Sequence, residues 1–216
     1  LLGAVLAATP GLALATQAED ATEAKKIVSR AQGTLQELLQ DKELDSLRAG
    51  LKKAKAVLIF PTVLKAGFLV GGSGGHGLLM VRQGAHGWSA PAFYTMGSVS
   101  FGVQAGAQDS AVAILVNSDA ALASLMENSV RLGGGFSAAV GPQGVGQGAN
   151  LTADFVSYSK AKGAFIGMSL EGSVLDVRDT LNQAYYGQAI KPAAIVKLSK
   201  DPHASALRSA LAQAAK

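Results

Sequence analysis

The sequence predicts an α+β fold: an antiparallel β-sheet or partly closed barrel of short Gly-rich strands packed with N- and C-terminal helices. Three observations lead there. Apolar residues recur at helical spacing near the two ends of the chain. Between those ends, short apolar runs are punctuated by Pro or Gly, and some alternate with polar residues as half-buried strands do. Glycine is concentrated in the middle: 18 of the 26 glycines lie between Gly67 and Gly148, a stretch with only five charged residues, Arg82, Asp109, Asp119, Glu127 and Arg131. Strands at short spacing, bracketed by helices, argue for α+β. With 216 residues, 49% hydrophobic and 16% charged, the chain has the size of one domain with a substantial core and too little charge for disorder. No fixed-period repeat and no linker divides it.

The first eighteen residues carry no charge. Leu1 to Ala8 is apolar, Pro10-Gly11 interrupts it, and Ala13-Leu14-Ala15 and Thr16-Gln17-Ala18 are small-residue cleavage sites. Residues 1–18 therefore read as a signal-peptide remnant, with a mature start at about Thr16 or Glu19 and a single domain over 19–216. A short buried N-terminal helix is the alternative. The domain begins with a helical part over 20–54. Ala21, Ala24, Ile27, Val28, Ala31, Leu35, Leu38 and Leu39 mark one face of a helix from Asp20 to Leu39, with Glu23, Lys25, Lys26, Arg30 and Glu37 opposite. A second helix is expected over Leu44–Ala54.

The β-rich core spans 55–175. Ala56–Phe60, Gly67–Val70 and Gly77–Val81 read as three short strands. Val99, Phe101, Val103 and Ala105 alternate with polar residues or glycine as a half-buried strand, and the continuous apolar run Ala111–Val116 reads as a central one. Ser118-Asp119 caps a helix over Ala120–Asn128. Gly141-Pro142-Gln143-Gly144 is a turn. Leu151, Ala153 and Phe155, then Ala164–Met168 and Ser173–Leu175, supply further strands. C-terminal helices over 176–216 are expected at Val177–Tyr186, ended by Gly187, and at Pro202–Ala215, with Asp201 as cap and Pro202 as first helical residue. No later apolar run reaches the ~20 residues of a membrane span.

Catalytic constellations are weak. The chain has no cysteine, which excludes disulfides, thiolate chemistry and a lipid-anchored cysteine. Tyr158 and Lys162 have Tyr-x-x-x-Lys spacing without the βαβ units of a dehydrogenase, and Ser157 and Lys160 have Ser-x-x-Lys spacing without its companion motifs. Gly72–Gly77 satisfies a loose glycine-loop pattern, but a strand rather than a helix follows it. His76, His86 and His203 lack metal-ligand spacing, although the first two flank one strand, and nothing marks Glu171 and Asp176 as a catalytic pair. The expectation is no enzyme, no metal and no cofactor. The basic residues are neither dense nor interleaved with aromatics, so no nucleic acid is expected either.

The basic residues near the predicted helices carry more. Lys25, Lys26, Arg30, Arg48, Lys52, Lys53, Lys55 and Lys65 lie on or beside them, and each such charge near an anionic membrane contributes ~1 kcal/mol. Nine basic minus seven acidic residues up to Lys65 leave +2, so a merely solvated helix face fits the residues equally well. Trp88, close to Phe93 and Tyr94, is either an interfacial anchor or part of an aromatic core.

One stretch stands out, Lys53–Gly77, KAKAVLIFPTVLKAGFLVGGSGGHG. With Gly87–Tyr94 (GWSAPAFY), Gly97–Gly106, Leu132-Gly133-Gly134, Tyr158–Gly167 (YSKAKGAFIG) and Ser169–Gly172 (SLEG), it resembles the SYLF domain family over about Ala24 to Lys197. The resemblance implies binding of phosphoinositides or other anionic lipids and, in fungal members, of actin filaments. Joined to the signal-peptide reading, it yields the expectation of an exported, bacterial-type protein at the periplasm or outer-membrane periphery. Its partner would be anionic phospholipid or a membrane surface, with actin unlikely. The expected lipid-binding residues are Lys52, Lys53, Lys55, Lys65, Lys25, Lys26 and Trp88. The alternative is a structural or protein-interaction module of the envelope without lipid specificity.

Overall fold

The computed structural model describes residues 10–41, 44–85, 87–127, 129–141, 153–161, 164–165, 170–198 and 200–216, with backbone alone at 10–15, 66–71, 99–108 and 164–165. The fold is α+β, a curled, half-barrel sheet with helices on both faces. Helix α1 (Pro10–Gln40) starts ten residues before the expected Asp20, and residues 10–18 of the presumed signal remnant are its first turns. Pro10 suits such a start, because the first turn has no use for its missing N–H. The anticipated stripe of Ala24, Ile27, Val28, Ala31, Leu35 and Leu38 is buried. Helix α2 (Asp45–Leu51) follows, shorter than predicted, with Leu47, Gly50 and Leu51 buried.

The main departure from expectation is in the strands. The three short strands predicted between Ala56 and Val81 form one 28-residue strand, β1 (Ala56–Gln83). It runs antiparallel to the 25-residue β3 (Ala92–Val116), with the two-residue β2 (Gly87–Trp88) at the hairpin end. Pro61 does not end the strand, because it sits in a bulge. Phe60 pairs with Val112 and Val63 with Ser110, so β1 holds one extra residue there and the missing N–H of proline breaks no ladder. A second register shift, between Gly67 and Leu69, lies where the ribbon doubles back. The doubling is visible at Lys55, whose N–H donates to the Val116 carbonyl (2.8 Å) and whose carbonyl accepts from the Arg82 N–H (2.8 Å). The start of β1 thus lies between the end of β3 and the end of β1 itself. Close passage of the two arms needs glycine: a Cβ at Gly75 or Gly77 would run into the carbonyl oxygen of Thr62 or Ile59. Gly72 has ordinary room, its Cβ position lying 3.5 Å from the Ser98 carbonyl oxygen.

The sheet continues β2-β1-β3-β6-β5, with β6 at Phe155–Ala161 and β5 at Ala138–Val140. Strand β8 (Val174–Val177) pairs with the start of β3 and with β4 (Val130–Arg131), and β7 (Ala164–Phe165) with β6. Among the described residues all pairs of these strands are antiparallel except β5 with β6, which is parallel, against the wholly antiparallel expectation. The 141–154 connection supplies the length that a parallel crossover requires. Most of the predicted Gly141–Gly144 turn, and residues 166–168 of the Ala164–Met168 strand, lie outside the described residues. Gly141 lies against the Tyr158 ring, where a Cβ would overlap it.

Both faces of the sheet are buried, which is why 56–60 and 112–116 read as unbroken apolar runs. Val57, Ile59, Ala113, Leu115 and Tyr158 pack under α1, α2 and α6 (Ser205–Ala214). Ala56, Leu58, Phe60, Val112 and Ile114 pack with Leu125 of α3 (Asp119–Glu127) and Ile195 of α5 (Pro192–Ile195). Ser118 caps α3 as expected, its Oγ accepting from the Ala121 N–H at 3.2 Å. Helix α4 (Asp179–Tyr186) ends at Gly187 with φ 72°, the left-handed residue that closes a helix. Asp201 does not cap a helix that begins at Pro202: its Oδ1 accepts from the His203 and Ala204 N–H groups and from the Tyr185 hydroxyl, and α6 starts only at Ser205.

Candidate functional site

The predicted basic residues do not form one patch. Lys25, Lys26 and Arg30 are exposed on α1, and Lys26 shares a shallow depression with Glu19, Asp20 and Glu23. Along the helix axis Lys26 lies ~21 Å from Gln40, where the chain turns toward α2. Lys65 sits on the outgoing arm of β1, opposite Gln108 and ~30 Å of strand beyond Ala56. Lys55 is tied to Asp119, Nζ to Oδ1 2.9 Å. Lys52 and Lys53 remain. They are exposed in the turn after α2, next to exposed Arg48, and among the described residues neither has an ion pair.

That corner is held firmly. The Arg48 guanidinium donates to the Leu39 carbonyl, joining α2 to α1. The Arg82 guanidinium donates to the carbonyls of Ala54 (2.8 Å) and Leu51, clamping the end of α2 to the returning arm of β1. Below it lies Trp88, 4.7 Å from ring centroid to guanidinium carbon. Trp88 is only 1% exposed, and its carbonyl accepts from Arg208 Nε at 2.7 Å. The expectation of Trp88 as a lipid-contacting residue is therefore corrected: its ring is core and serves as a platform for Arg82. Phe93 and Tyr94 are equally buried. The Tyr94 hydroxyl donates to the Leu125 carbonyl, and burial, with Asp176 and Asp179 nearby, pushes its pKa well up.

The motif candidates separate in space. Residues alternate across a strand, so Ser157 and Lys160 of β6 point to opposite faces. Ser157 donates to the Ala139 carbonyl (3.3 Å), and Lys160 pairs with Asp41 at the end of α1 (3.2 Å). Tyr158 is core, its pKa raised by burial and partly lowered again by Ser46. Lys162 and His86 lie outside the described residues. Gly72–Gly77 is strand throughout, not a phosphate loop. Among the described residues no three His, Asp or Glu side chains are grouped to hold a metal, and no helix is long and apolar enough to cross a membrane.

Sequence reasoning missed a groove of about 420 Å³ between α1 and the doubled ribbon. Glu23, Ile27 and Arg30 border it from the helix, and Pro61, Thr62, Gly74 and Gly75 from the two arms of the ribbon. Ile27, Leu64 and Met96 line it, with Glu23, Arg30, His76 and Thr95 at its polar margins. Leu64 is 61% exposed. His76 titrates below its usual value, first through desolvation and then through Arg178, against the opposing pull of Glu23 and Asp20. The groove was hidden because it depends on β1 folding back on itself.

A family model described as Ysc84, Las17-binding protein actin regulator, matches residues 97–214, more than half of the chain. The chain belongs to this family. It is similar to the SH3 domain-containing protein PJ696.02 of Schizosaccharomyces pombe, 41% identical over 162 residues, which are 67% of this chain and 37% of the relative. It is also similar to the rat SH3 domain-containing YSC84-like protein 1, 36% identical over 146 residues (65% of this chain, 43% of the relative). Protein YSC84 of Saccharomyces cerevisiae is 37% identical over 144 residues (63% and 31%). The matched segments thus span less than half the length of each of these relatives. The SYLF resemblance holds, and two expectations built around it do not. Actin cannot be set aside as a partner, because the family is described by actin regulation. An exported protein at a bacterial periplasm or outer membrane is overturned by relatives from yeasts and a mammal, whose cells have no such envelope.

Proposed function

We propose that this chain is a non-enzymatic lipid-binding module that docks on anionic phospholipid surfaces through the corner formed by Lys52 and Lys53, with Arg48 beside them. The supporting observation is two adjacent, exposed lysines that have no ion pair among the described residues, set on backbone that Arg82 and Arg48 tie in place. A fixed corner loses little ordering entropy on docking, and each lysine near an anionic surface contributes ~1 kcal/mol. Lys55 contributes less while Asp119 holds it, and Lys25, Lys26 and Lys65 lie apart. Co-sedimentation with phosphatidylcholine vesicles, with and without phosphatidylserine, tests this: binding requires the anionic lipid and falls with salt. Binding that ignores head-group charge would refute it.

A second reading is favoured by the family description, an actin regulator that binds Las17. On that reading the chain engages an actin-regulating protein or the filament itself. Co-sedimentation with actin filaments, alone and with Las17, separates it from lipid docking, since the two activities require different pellets.

A further inference from the structure

We infer that the groove beneath α1 receives an extended segment of a partner protein, its basic side chains against Glu37 and Asp109 and an adjacent apolar side chain on Leu64. Two cavities, of about 420 and 190 Å³, share Pro61 and Thr62 in their walls and run in series along one flank of α1. Glu23, Ile27, Arg30 and Glu37 supply that flank at steps of four, three and seven residues, and Glu23 to Glu37 spans ~21 Å of helix. An extended chain covers this length in about six residues. The facing wall is the outgoing part of the ribbon. Ala113 and Tyr158 pack under α1, and side chains alternate across a strand, so Ala111, Asp109 and Lys160 share that side of the sheet. Leu64 is the register partner of Asp109 and is 61% exposed. The site is separate from the lysine corner, since Leu64 lies ~25 Å of strand beyond Ala56.

Charge selects the occupant. Lys160 also lines the groove, but Asp41 matches it at 3.2 Å, with both side chains less than one-fifth exposed. Glu37 and Asp109 are exposed, and among the described residues neither has an ion pair. Arg30 stands seven residues from Glu37, ~10 Å along the helix. Lys65, the strand neighbour of Leu64, is turned to the other face of the sheet. This end of the groove thus sets two unmatched carboxylates beside an exposed leucine, on a chain whose formal net charge is +4. An acidic ligand is repelled there. A lysine or arginine next to an apolar residue satisfies both features at once, and an extended backbone presents such neighbours along the length of the groove.

Fluorescence anisotropy with a labelled hexapeptide of alternating lysine and leucine tests the assignment, beside analogues carrying glutamate for lysine or serine for leucine. The lysine–leucine peptide should bind saturably at one site, and each analogue at least about tenfold more weakly, since each lacks one half of the recognition. The double variant Glu37→Gln/Asp109→Asn and the single variant Leu64→Ser, all at exposed positions, should each weaken that peptide about tenfold with unchanged melting. Lys52→Gln/Lys53→Gln should bind it no more weakly than the parent does. Failure of vesicle docking alone bears only on the surface reading. Absence of saturable peptide binding, a glutamate analogue that binds as tightly, or full affinity in Glu37→Gln/Asp109→Asn would each overturn the inference. Sedimentation velocity completes the test: the parent alone should show no self-association that the same double variant abolishes, and such association would give the groove to a second copy of the chain and overturn the inference too.

Discussion

The lysines of the corner and the glycines of the returning arm lie within one stretch of 26 residues, Lys52 to Gly77, and answer to different physics. In the returning arm the side chain is what must be absent: at Gly75 and Gly77 the facing strand leaves no room for a Cβ. At the corner it is the charge that is notable, since the Lys52 and Lys53 side chains are exposed and have no ion pair among the described residues. Composition alone would call both segments surface-like, one flexible and one solvated. The difference teaches that a glycine run can mark the tightest packing in a fold, and that an exposed charge is available to a partner only where no carboxylate has claimed it, as Asp119 has claimed Lys55.

Substitutions can break this comparison. The largest effect is expected at Trp88, beneath the corner. Trp88→Ala should destabilise the fold by about 3–5 kcal/mol, the usual range for emptying a buried aromatic site, measured by denaturant unfolding. A variant as stable as the parent with weakened vesicle binding would restore the anchor role. Gly77→Ala comes next. Its methyl would overlap both the Ile59 carbonyl and the Phe60 ring, so a loss of about 1–3 kcal/mol is expected from overpacking. Gly72→Ala, five residues earlier, has room and should be neutral or slightly stabilising, because alanine is the better strand residue. Equal melting of the two would show that the arms are not in close passage.

Smaller effects sharpen the charge side. Asp119→Asn releases Lys55 from a pair in which Asp119 is 85% exposed. Stability should fall by less than about 1 kcal/mol, while affinity for anionic vesicles rises slightly; a fall in affinity would remove Lys55 from the basic corner. The smallest effect concerns His76. Its folded pKa is below 6.5 because burial and Arg178 disfavour the imidazolium more than Glu23 and Asp20 favour it. Below pH 6.5 the unfolded chain then binds more protons than the folded one, so this group subtracts stability as pH falls toward its folded value. His76→Gln should flatten the pH dependence of melting in that window, and an unchanged profile would remove His76 as its source.

Much of the fold was legible. The stripe of α1, the Ser118 cap, the central strand 111–116 and Gly187 at the end of α4 all follow from local spacing and capping chemistry. What local pattern could not reveal was pairing at a distance. Pro61 and the glycines looked like strand ends because Pro and Gly usually are, and only the register with Val112 and Ser110 shows Pro61 absorbed as a bulge. The groove beneath α1 needs β1 folded back on itself and was equally invisible. The basic residues of the site were legible as types, but helix rise and strand length separate them by tens of ångströms. Trp88 beside Gly and Pro was ambiguous until its burial under Arg82 decided the matter.

The central claim is that Lys52 and Lys53 form the lipid-facing corner, and vesicle co-sedimentation of the Lys52→Gln/Lys53→Gln variant tests it most directly. At low salt the variant should bind phosphatidylserine-containing vesicles about thirtyfold more weakly than the parent, the equivalent of ~1 kcal/mol for each lysine, with unchanged melting. The parent's own binding should fade as the screening length shrinks from ~30 Å at 0.01 M to ~3 Å at 1 M salt. A variant that pellets with anionic vesicles as fully as the parent at low salt would contradict the account.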